Sequence, residues 1–414
     1  MSTDSRLPAR LRIARASAHL AGRAARLAGG RASVLPGNVA LRIAPKLLDE
    51  LLRGRRACFV SGTNGKTTTT ALIAAALGPA TITNADGANL PTGWATVLLD
   101  APRDAAAVLE VDEAYLPAAL SYAPDAVVVL LNLSRDQLDR HSETRMLAQR
   151  WRDVLTRTPD AKVIANADDP LVVYAALGAR DVTWVEGGAY WKADATTCPD
   201  CGLLLTRTDD DWWCACDLRR PRPSVRREGQ DVSIDGVVRT PHIALPGRAN
   251  RGNIAMAVAA AIALGIDLDR ALEAMAAITS VSGRYMRHRV DGHDVIVLLA
   301  KNPAGWVETL EVIDEVLGDG RGSVVVAINA RGPDGRDPSW LWDVPFERLA
   351  GRDVIATGER ATDLAVRLDN AGVSYRKDPR SPLVAAEAAH EDPVVIAATY
   401  TNFLSISRTL ADRA

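Results

Sequence analysis

The sequence predicts an α/β protein with a phosphate-loop domain on a parallel sheet, a four-cysteine insertion, and a smaller C-terminal α/β domain. Three observations carry that expectation. Short apolar runs alternate with helical sequence along most of the chain, a glycine-lysine loop closes the first such run, and the texture changes abruptly at residues 190–235. Strands alternating with helices build parallel sheets covered on both faces.

The first run, Ala57-Cys58-Phe59-Val60-Ser61, leads through a glycine turn into residues 66–77, rich in Thr and Ala, and reads as strand, loop and helix. Cys58 in that strand reads as a buried core residue. Further strands are expected at 107–111, 126–131 and 162–165, with helical sequence such as 143–155 between them. Residues 190–235 are rich in Cys, Trp, Arg and Pro and read as an insertion. Alanine-rich helices at 250–264 and 268–277 complete the large domain, and strands of a second domain are expected at 294–299, 323–329, 353–356 and 393–398. The chain of 414 residues is longer than one core usually serves. The expected division is 1–55, a basic helical segment; 56–290, the central domain with its insertion; and 291–414, the C-terminal domain.

Composition narrows the classes of function. Hydrophobic residues make up 48%, enough for ordinary cores and too many for a largely disordered chain. Lys and Arg (49) nearly balance Asp and Glu (51), so nucleic acid or anionic lipid would have to meet a local patch. No run of about eighteen uncharged apolar residues occurs, which excludes a membrane-spanning helix and leaves a soluble or peripheral protein as the expectation. One patch stands out at the N-terminus. Arg6, Arg10, Arg12, Arg15, Arg23 and Arg26 alternate with Leu7, Leu11, Ile13, Leu20 and Leu27, the pattern of a basic amphipathic helix without a secretion signal's apolar core. Such a helix either packs on the next domain with its arginines in water or rests on anionic lipid.

The string Gly62-Thr63-Asn64-Gly65-Lys66-Thr67-Thr68 carries phosphate chemistry. Glycines let backbone N–H groups converge on phosphate oxygens, the helix N-terminus adds partial positive charge, Lys66 is expected to reach the terminal phosphates and the Thr67 hydroxyl can ligate magnesium. ATP and Mg2+ are therefore the expected cofactors. The strict Walker pattern needs glycine at position 60, where this chain has Val60, but the shorter string sits between strand and helix as required.

This loop resembles that of the Mur ligases and folylpolyglutamate synthases, which activate a carboxylate as an acyl phosphate before an amine attacks. Further segments resemble that family in order: Leu109-Glu110-Val111-Asp112-Glu113, whose Glu110 is implied to hold magnesium; the Asn132 to His141 segment; Gly247-Arg248-Ala249-Asn250-Arg251-Gly252-Asn253, whose Asn250 and Asn253 are implied to meet the adenine; and Gly283-Arg284, whose Arg284 is implied to reach the phosphates. There are departures. Gln137 stands where the family has a metal-binding histidine, and His141, one turn away, is either a ligand or a solvent-facing or capping residue. In Leu298-Leu299-Ala300-Lys301-Asn302-Pro303 the family's ribose-contacting Asp is apolar. Only about fifty-five residues precede the loop, too few for a separate domain that grips a UDP sugar.

With the cysteine cluster and the segment Asp334-Gly335-Arg336-Asp337-Pro338-Ser339-Trp340-Leu341-Trp342-Asp343, these departures resemble the MurT family, ligase-like subunits of lipid II isoglutaminyl synthase. The resemblance implies a GatD-like glutaminase partner, lipid II as substrate, and a cytoplasmic site of action at the inner face of the membrane. Amidation needs ammonia, and no Cys-His-acid constellation is evident in this chain. The resemblance implies that the partner supplies the nucleophile and histidine, with Asp337 completing the triad and Asp334 and Asp343 as alternatives. Each aspartate is otherwise an ordinary loop or cap residue. Trp340 and Trp342 would share one side of a strand, for core packing or partner contact. Lys66, Glu110, Arg284 and Asp337 are the expected catalytic residues.

Cys198-Pro199-Asp200-Cys201 and Cys214-Ala215-Cys216 are two thiol pairs a hairpin apart, the pattern of a structural zinc site with no open position for substrate; reduced or disulfide-paired cysteines are the alternative. Arg219, Arg220, Arg222, Arg226 and Arg227 follow, but a ribbon inserted in an ATPase is expected to brace a domain, and nucleic acid is not an expected partner. Two rival functions remain open: a self-sufficient ligase joining an amino acid to a carboxylate, and a nucleotide-binding scaffold without ligation.

Overall fold

Residues 9–27, 34–84, 88–135, 144–189, 191–281, 284–318 and 322–413 are described by a computed structural model. Arg6, Leu7, Gln137, His141 and Gly283 lie outside the described residues. Three helices, α1 (Ala9–Leu27), α2 (Leu35–Ile43) and α3 (Leu47–Leu52), precede β1 (Ala57–Ser61). Next come α4 (Lys66–Leu77), β2 (Ile82–Thr83), α5 (Pro91–Leu98), β3 (Ala107–Val111), α6 (Leu116–Tyr122), β4 (Val127–Leu130), α7 (Thr144–Arg157), β5 (Lys162–Asn166), α8 (Pro170–Ala176) and β6 (Asp181–Val185). The small hairpin β7 (Thr206–Arg207) and β8 (Trp212–Trp213) is followed by β9 (Val225–Glu228), β10 (Asp231–Ile234), β11 (Val237–Arg239), α9 (Arg248–Ala263) and α10 (Leu268–Met275).

These strands form a nine-stranded sheet in the order β11-β10-β9-β6-β5-β4-β1-β3-β2. Its β2 to β6 portion is parallel, whereas β10 and β11 fold back antiparallel from β9. Every residue of β1 and β3 is buried, because helices cover both faces. Strand alternation sorts the side chains: Phe59 joins the core beneath α1 to α3 and α5 to α8, while Cys58 and Val60 join the core beneath α4, α9 and α10. Burial also pushes the Cys58 thiol well up, as suits a packing residue. Helices α2 and α5 cross closely. A Cβ on Gly37 would meet the Thr92 carbonyl oxygen at 1.8 Å, and the Gly37 N–H donates to Thr96 Oγ1 at 2.9 Å.

The second sheet, in the order β12-β13-β17-β14-β15-β16, is formed by β12 (Tyr285–Val290), β13 (His293–Leu299), β14 (Ser323–Ala327), β15 (Asp353–Thr357), β16 (Tyr375–Lys377) and β17 (Val394–Ala398). Among the described residues, only β12 pairs antiparallel within it. Helices α11 (Pro303–Leu317), α12 (Ala361–Asn370), α13 (Pro382–Glu387) and α14 (Tyr400–Arg413) connect and cover it.

The expected strand at Trp340 and Trp342 is instead a 3-10 turn over Ser339–Asp343. Its tighter winding sends the two rings to different environments. Trp340 is buried and stacks on Trp306 of α11 with centroids 6.1 Å apart, whereas Trp342 is 58% exposed. Trp306 also meets Phe346 edge-on at 5.5 Å and is fully buried. Trp306→Ala is expected to cost about 3–5 kcal/mol in urea unfolding and to loosen the 339–346 segment toward proteolysis; unchanged unfolding and cleavage would show that these rings do not anchor it.

Candidate active site

The strand-to-helix turn between β1 and α4 is held open by its neighbours. Gly62 has φ +144°, and a Cβ there would lie 2.8 Å from Leu131 Cβ and 2.9 Å from the Asn132 nitrogen. Gly65 has φ +86°, and its Cβ would approach Asn253 Oδ1 to 2.4 Å. Only glycine admits both the left-handed backbone and the close approach. The Asn132 carbonyl accepts from the Thr63 N–H at 2.9 Å, its side-chain oxygen accepts from the Asn64 N–H at 2.9 Å, and its Nδ2 donates to the Asn64 carbonyl at 3.0 Å. Ser134 and Thr63 exchange two further bonds, at 3.1 and 3.0 Å. The turn's outer backbone is thereby satisfied. The first-turn N–H groups of Lys66, Thr67 and Thr68 have no acceptor within α4 and make an anion site.

Lys66 and Thr67 point to different partners across the sheet top. The buried Lys66 amino group donates to the Gly62 carbonyl, to the Thr63 carbonyl at 3.2 Å and to Glu113 Oε1 at 3.1 Å. Thr67 Oγ1 donates to Glu110 Oε2 at 3.2 Å. Glu110, at the end of β3, is 3% exposed, and its backbone is clamped by Asn84 and by the Trp94 indole, which donates to its carbonyl at 2.9 Å. Burial raises the Glu110 pKa, opposed by the charges of Arg284 and Lys66, the Thr67 hydroxyl and Lys301. Adjacent oxygens of a magnesium octahedron lie about 3.0 Å apart, so the Thr67–Glu110 pair and its hard oxygen donors fit that ion.

The second sheet closes over the loop. Asn64 and the fully buried Asn302, which caps α11, exchange amide bonds at 3.3 Å in both directions. The adjoining cleft is lined by Asn64, Gly65, Asn250, Asn253, Arg284 and Glu308. Asn253 Nδ2 donates to Asn250 Oδ1 at 3.3 Å, and Asn250 donates to the Pro246 carbonyl at 2.6 Å. The expected loop residues, Glu110, Asn250, Asn253 and Arg284 are thus brought to one place. The sequence reading did not single out Glu308, whose carboxyl is pushed up to about 8 by enclosure in the cleft, opposed by Arg284 and reinforced by Glu311. A lone acid on a helix carries no sequence signal of its own.

The three aspartates of the 334–343 segment differ sharply. Asp334 is 2% exposed and is consumed by α14, accepting from the Thr401 N–H at 2.8 Å and the Thr401 hydroxyl at 2.6 Å. Asp343 lies 3.6 Å from Arg135 of the first sheet's connections. Asp337 is exposed and, among the described residues, its side chain accepts only the Ser339 N–H, at 2.9 Å.

Cys198, Cys201, Cys214 and Cys216 converge with all four sulfurs within 4.8 Å of one another. The Cys198–Cys216 and Cys201–Cys214 separations are 3.5 and 3.4 Å, close to the roughly 3.8 Å edge of a tetrahedral zinc thiolate site. Both knuckles end in a left-handed residue, Gly202 (φ +80°) and Asp217 (φ +74°). The ribbon grips the loop after β5: Trp212 donates to the Ala167 carbonyl at 3.1 Å and Arg220 pairs with Asp168 at 2.7 Å. Beside them Asp169 caps α8 and accepts the Leu133 N–H at 2.8 Å. Its carboxyl is pushed up to about 6 by burial, against three backbone N–H bonds and the Arg207 charge. Asp169 was missed in the sequence, although Asp followed by Pro before an apolar run is a helix-start signal.

Comparison with known proteins agrees with this geometry. Residues 60–261 match the Mur ligase middle domain and residues 299–403 match the family described as MurT ligase C-terminal. The chain is 31% identical to the lipid II isoglutaminyl synthase (glutamine-hydrolyzing) subunit MurT of Streptococcus pneumoniae, over 93% of both chains. It is 29% identical to the corresponding MurT subunit of Staphylococcus aureus, over 86% of this chain and 87% of that one. A pseudomurein peptide ligase type C from Methanothermus fervidus has a similar fold (TM-score 0.68, 20% identity, 88% of this chain and 81% of that chain). So does a bifunctional folylpolyglutamate synthase/dihydrofolate synthase from Yersinia pestis (TM-score 0.56, 17% identity, 88% and 92%). With its phosphate loop, its second sheet closed over that loop and its end-to-end likeness to these subunits, the chain belongs to the MurT family of Mur ligase-like, ATP-dependent ligases.

Proposed function

We propose that this chain uses magnesium-ATP to phosphorylate the α-carboxylate of D-glutamate in the lipid II stem peptide, and that ammonia from a GatD-like glutaminase subunit then forms D-isoglutamine. The observation that carries this reading is the meeting of Lys66, Thr67, Glu110 and Arg284 where the second sheet closes over the phosphate loop. The relatives' description as subunits of a glutamine-hydrolyzing synthase supports the substrate and the partner.

The division of labour follows from charge. The N–H groups at the start of α4 and the Lys66 ammonium take the negative oxygens of the terminal phosphates, and Arg284 approaches the transferred group from the second sheet's side. Thr67 and Glu110 would hold magnesium, which neutralises phosphate oxygens when bound. Asn250 and Asn253 are placed to take the adenine. The substrate carboxylate attacks the terminal phosphorus, ADP leaves, and ammonia attacks the resulting acyl carbon; a C–N bond forms, the C–O bond to phosphate breaks, and nitrogen loses a proton. Ammonia is mostly protonated near neutral pH, so a coupled source is needed. Asp337 is the aspartate we assign to the partner's Cys–His pair, because Asp334 spends both oxygens on α14 and Asp343 faces Arg135. The reaction belongs in the cytoplasm at the inner membrane face, where a lipid-linked precursor is met.

Lys66→Ala is expected to lower ATP-dependent amidation at least about a hundredfold with either glutamine or ammonia as nitrogen source. Asp337→Asn should abolish the glutamine-dependent rate in the co-purified complex and leave the ammonia-dependent rate within about twofold. Normal glutamine use by that variant would remove Asp337 from the triad. If the purified chain instead adds a free amino acid without a glutaminase, the reaction is that of a self-sufficient ligase.

We also assign zinc to the four cysteines, bracing the 166–169 loop and, through Asp169 and Leu133, the phosphate loop. Elemental analysis should find one zinc per chain. Chelation should weaken nucleotide binding while leaving most secondary structure, and a zinc-free chain with full nucleotide affinity would rule out the brace.

A further inference from the structure

Helix α1 has two faces to account for. Leu11, Ala14 and Ala18 are buried against the α2 side, the packing expected of an amphipathic helix. The opposite face still carries large apolar side chains: Ile13 is 59% exposed and Leu20 is 68% exposed. Flanking them on the outward surface are Arg12, Arg23 and His19. Neither Arg12 nor Arg23 has an ion-pair partner among the described residues, whereas Arg15 and His19 meet Asp100 at 3.0 Å.

Charge on this element is one-sided. Helix α1 holds Arg10, Arg12, Arg15, Arg23 and Arg26 and no acidic residue. Seven arginines against one aspartate in residues 1–33 give +6, which leaves −8 for the rest of a chain whose net charge is −2. A helix with an exposed apolar strip beside unpaired arginines on an otherwise acidic protein matches the interface of an anionic bilayer, where the strip enters the acyl boundary and the guanidinium groups meet lipid phosphates. A protein partner would more often bury such a strip under a complementary acidic rim.

The helix is also tied to the site through packing. It packs on α2, α2 crosses α5 at the bare backbone of Gly37, and Trp94 of α5 holds the Glu110 carbonyl. We infer that the outer face of α1, through Ile13, Leu20, Arg12 and Arg23, docks the chain on an anionic membrane surface. The docking deepens the proposed reaction, resting on its lipid-linked substrate, and presents the site to a head group that stays in the bilayer plane.

The test uses the full chain co-purified with its glutaminase, sedimented with phosphatidylglycerol-containing vesicles and, separately, with pure phosphatidylcholine vesicles. Wild type should bind the anionic vesicles, be released by rising salt, and ignore the neutral ones. Ile13→Glu with Leu20→Glu, and independently Arg12→Glu with Arg23→Glu, should each reduce binding at least about tenfold with an unchanged melting curve, since these side chains face outward. Both double variants should amidate a lipid-free stem peptide at the wild-type rate and lose rate only on substrate embedded in vesicles. No binding to anionic vesicles, equal binding to neutral ones, or variants that bind as wild type would overturn the inference. So would protection of Ile13 and Leu20 by the glutaminase instead of by vesicles, which would assign the face to the subunit interface. Failure of wild type on the lipid-free peptide would count against the proposed reaction alone, because vesicle binding is read without turnover.

Discussion

The rest of the molecule depends on keeping the 62–65 turn open while leaving the first N–H groups of α4 unspent. A turn of this kind collapses onto itself unless other groups take up its outer carbonyls and amides. Asn132 does most of that work with three bonds to Thr63 and Asn64, and Asn302 ties Asn64 to the second sheet. Each of these residues needs its own support. Asn132 sits on a segment fixed through Leu133 by Asp169, and the loop holding Asp169 is gripped by the ribbon at Ala167 and Asp168. Asn302 caps α11, the helix whose Trp306 anchors the segment bearing Asp337. Distant parts of the chain are therefore coupled by buried amide satisfaction as well as by apolar contact.

Much of this was legible in the sequence because the relevant signals are local. Strand β1, helix α4 and strand β3 fall on the residues expected, since a buried parallel strand is a short unbroken apolar run and a phosphate loop has a fixed spelling. The four cysteines were legible for the same reason. What escaped was held by long-range geometry. Strands β12 and β16 carry charged or half-exposed residues at sheet edges, and β6 does so where β9 meets it only at Val185, so the apolar period fades. The antiparallel β9 to β11 extension hides in arginine-rich sequence within and just past the insertion. Trp340 and Trp342 share a spacing that fits a strand, but the core offered room for one ring only. No spacing rule pairs Asn64 with Asn302, 238 positions away.

Aspartates Asp334 and Asp337 show why residue type alone does not settle a role. They lie three positions apart in one glycine-containing segment, yet the first is buried under α14 with both oxygens bonded and the second faces outward with a single local bond. An acid already satisfied inside its own fold has little to offer another chain. The one left at the surface lies on a segment pinned by the Trp306–Trp340 stack, so the contact proposed for it would start from a fixed position.

The same reasoning about unsatisfied charge bears on magnesium. Glu110, Glu113 and Glu308 approach the phosphate loop from three directions, and Lys66 is already committed to Glu113 and two carbonyls. The Arg284 charge acts on both Glu110 and Glu308, with Lys66 and Lys301 adding to it at Glu110, yet desolvation outweighs these cations at both carboxyls. Burial raises both carboxyls, Glu308 to about 8, which marks a site where a further cation beside them is favoured. A divalent ion with a triphosphate supplies such a cation together with the anion that Lys66 and the α4 N-terminus are built to take. The ion and the nucleotide are therefore favoured as a pair, since either alone would unbalance the charges that the protein has arranged around this loop.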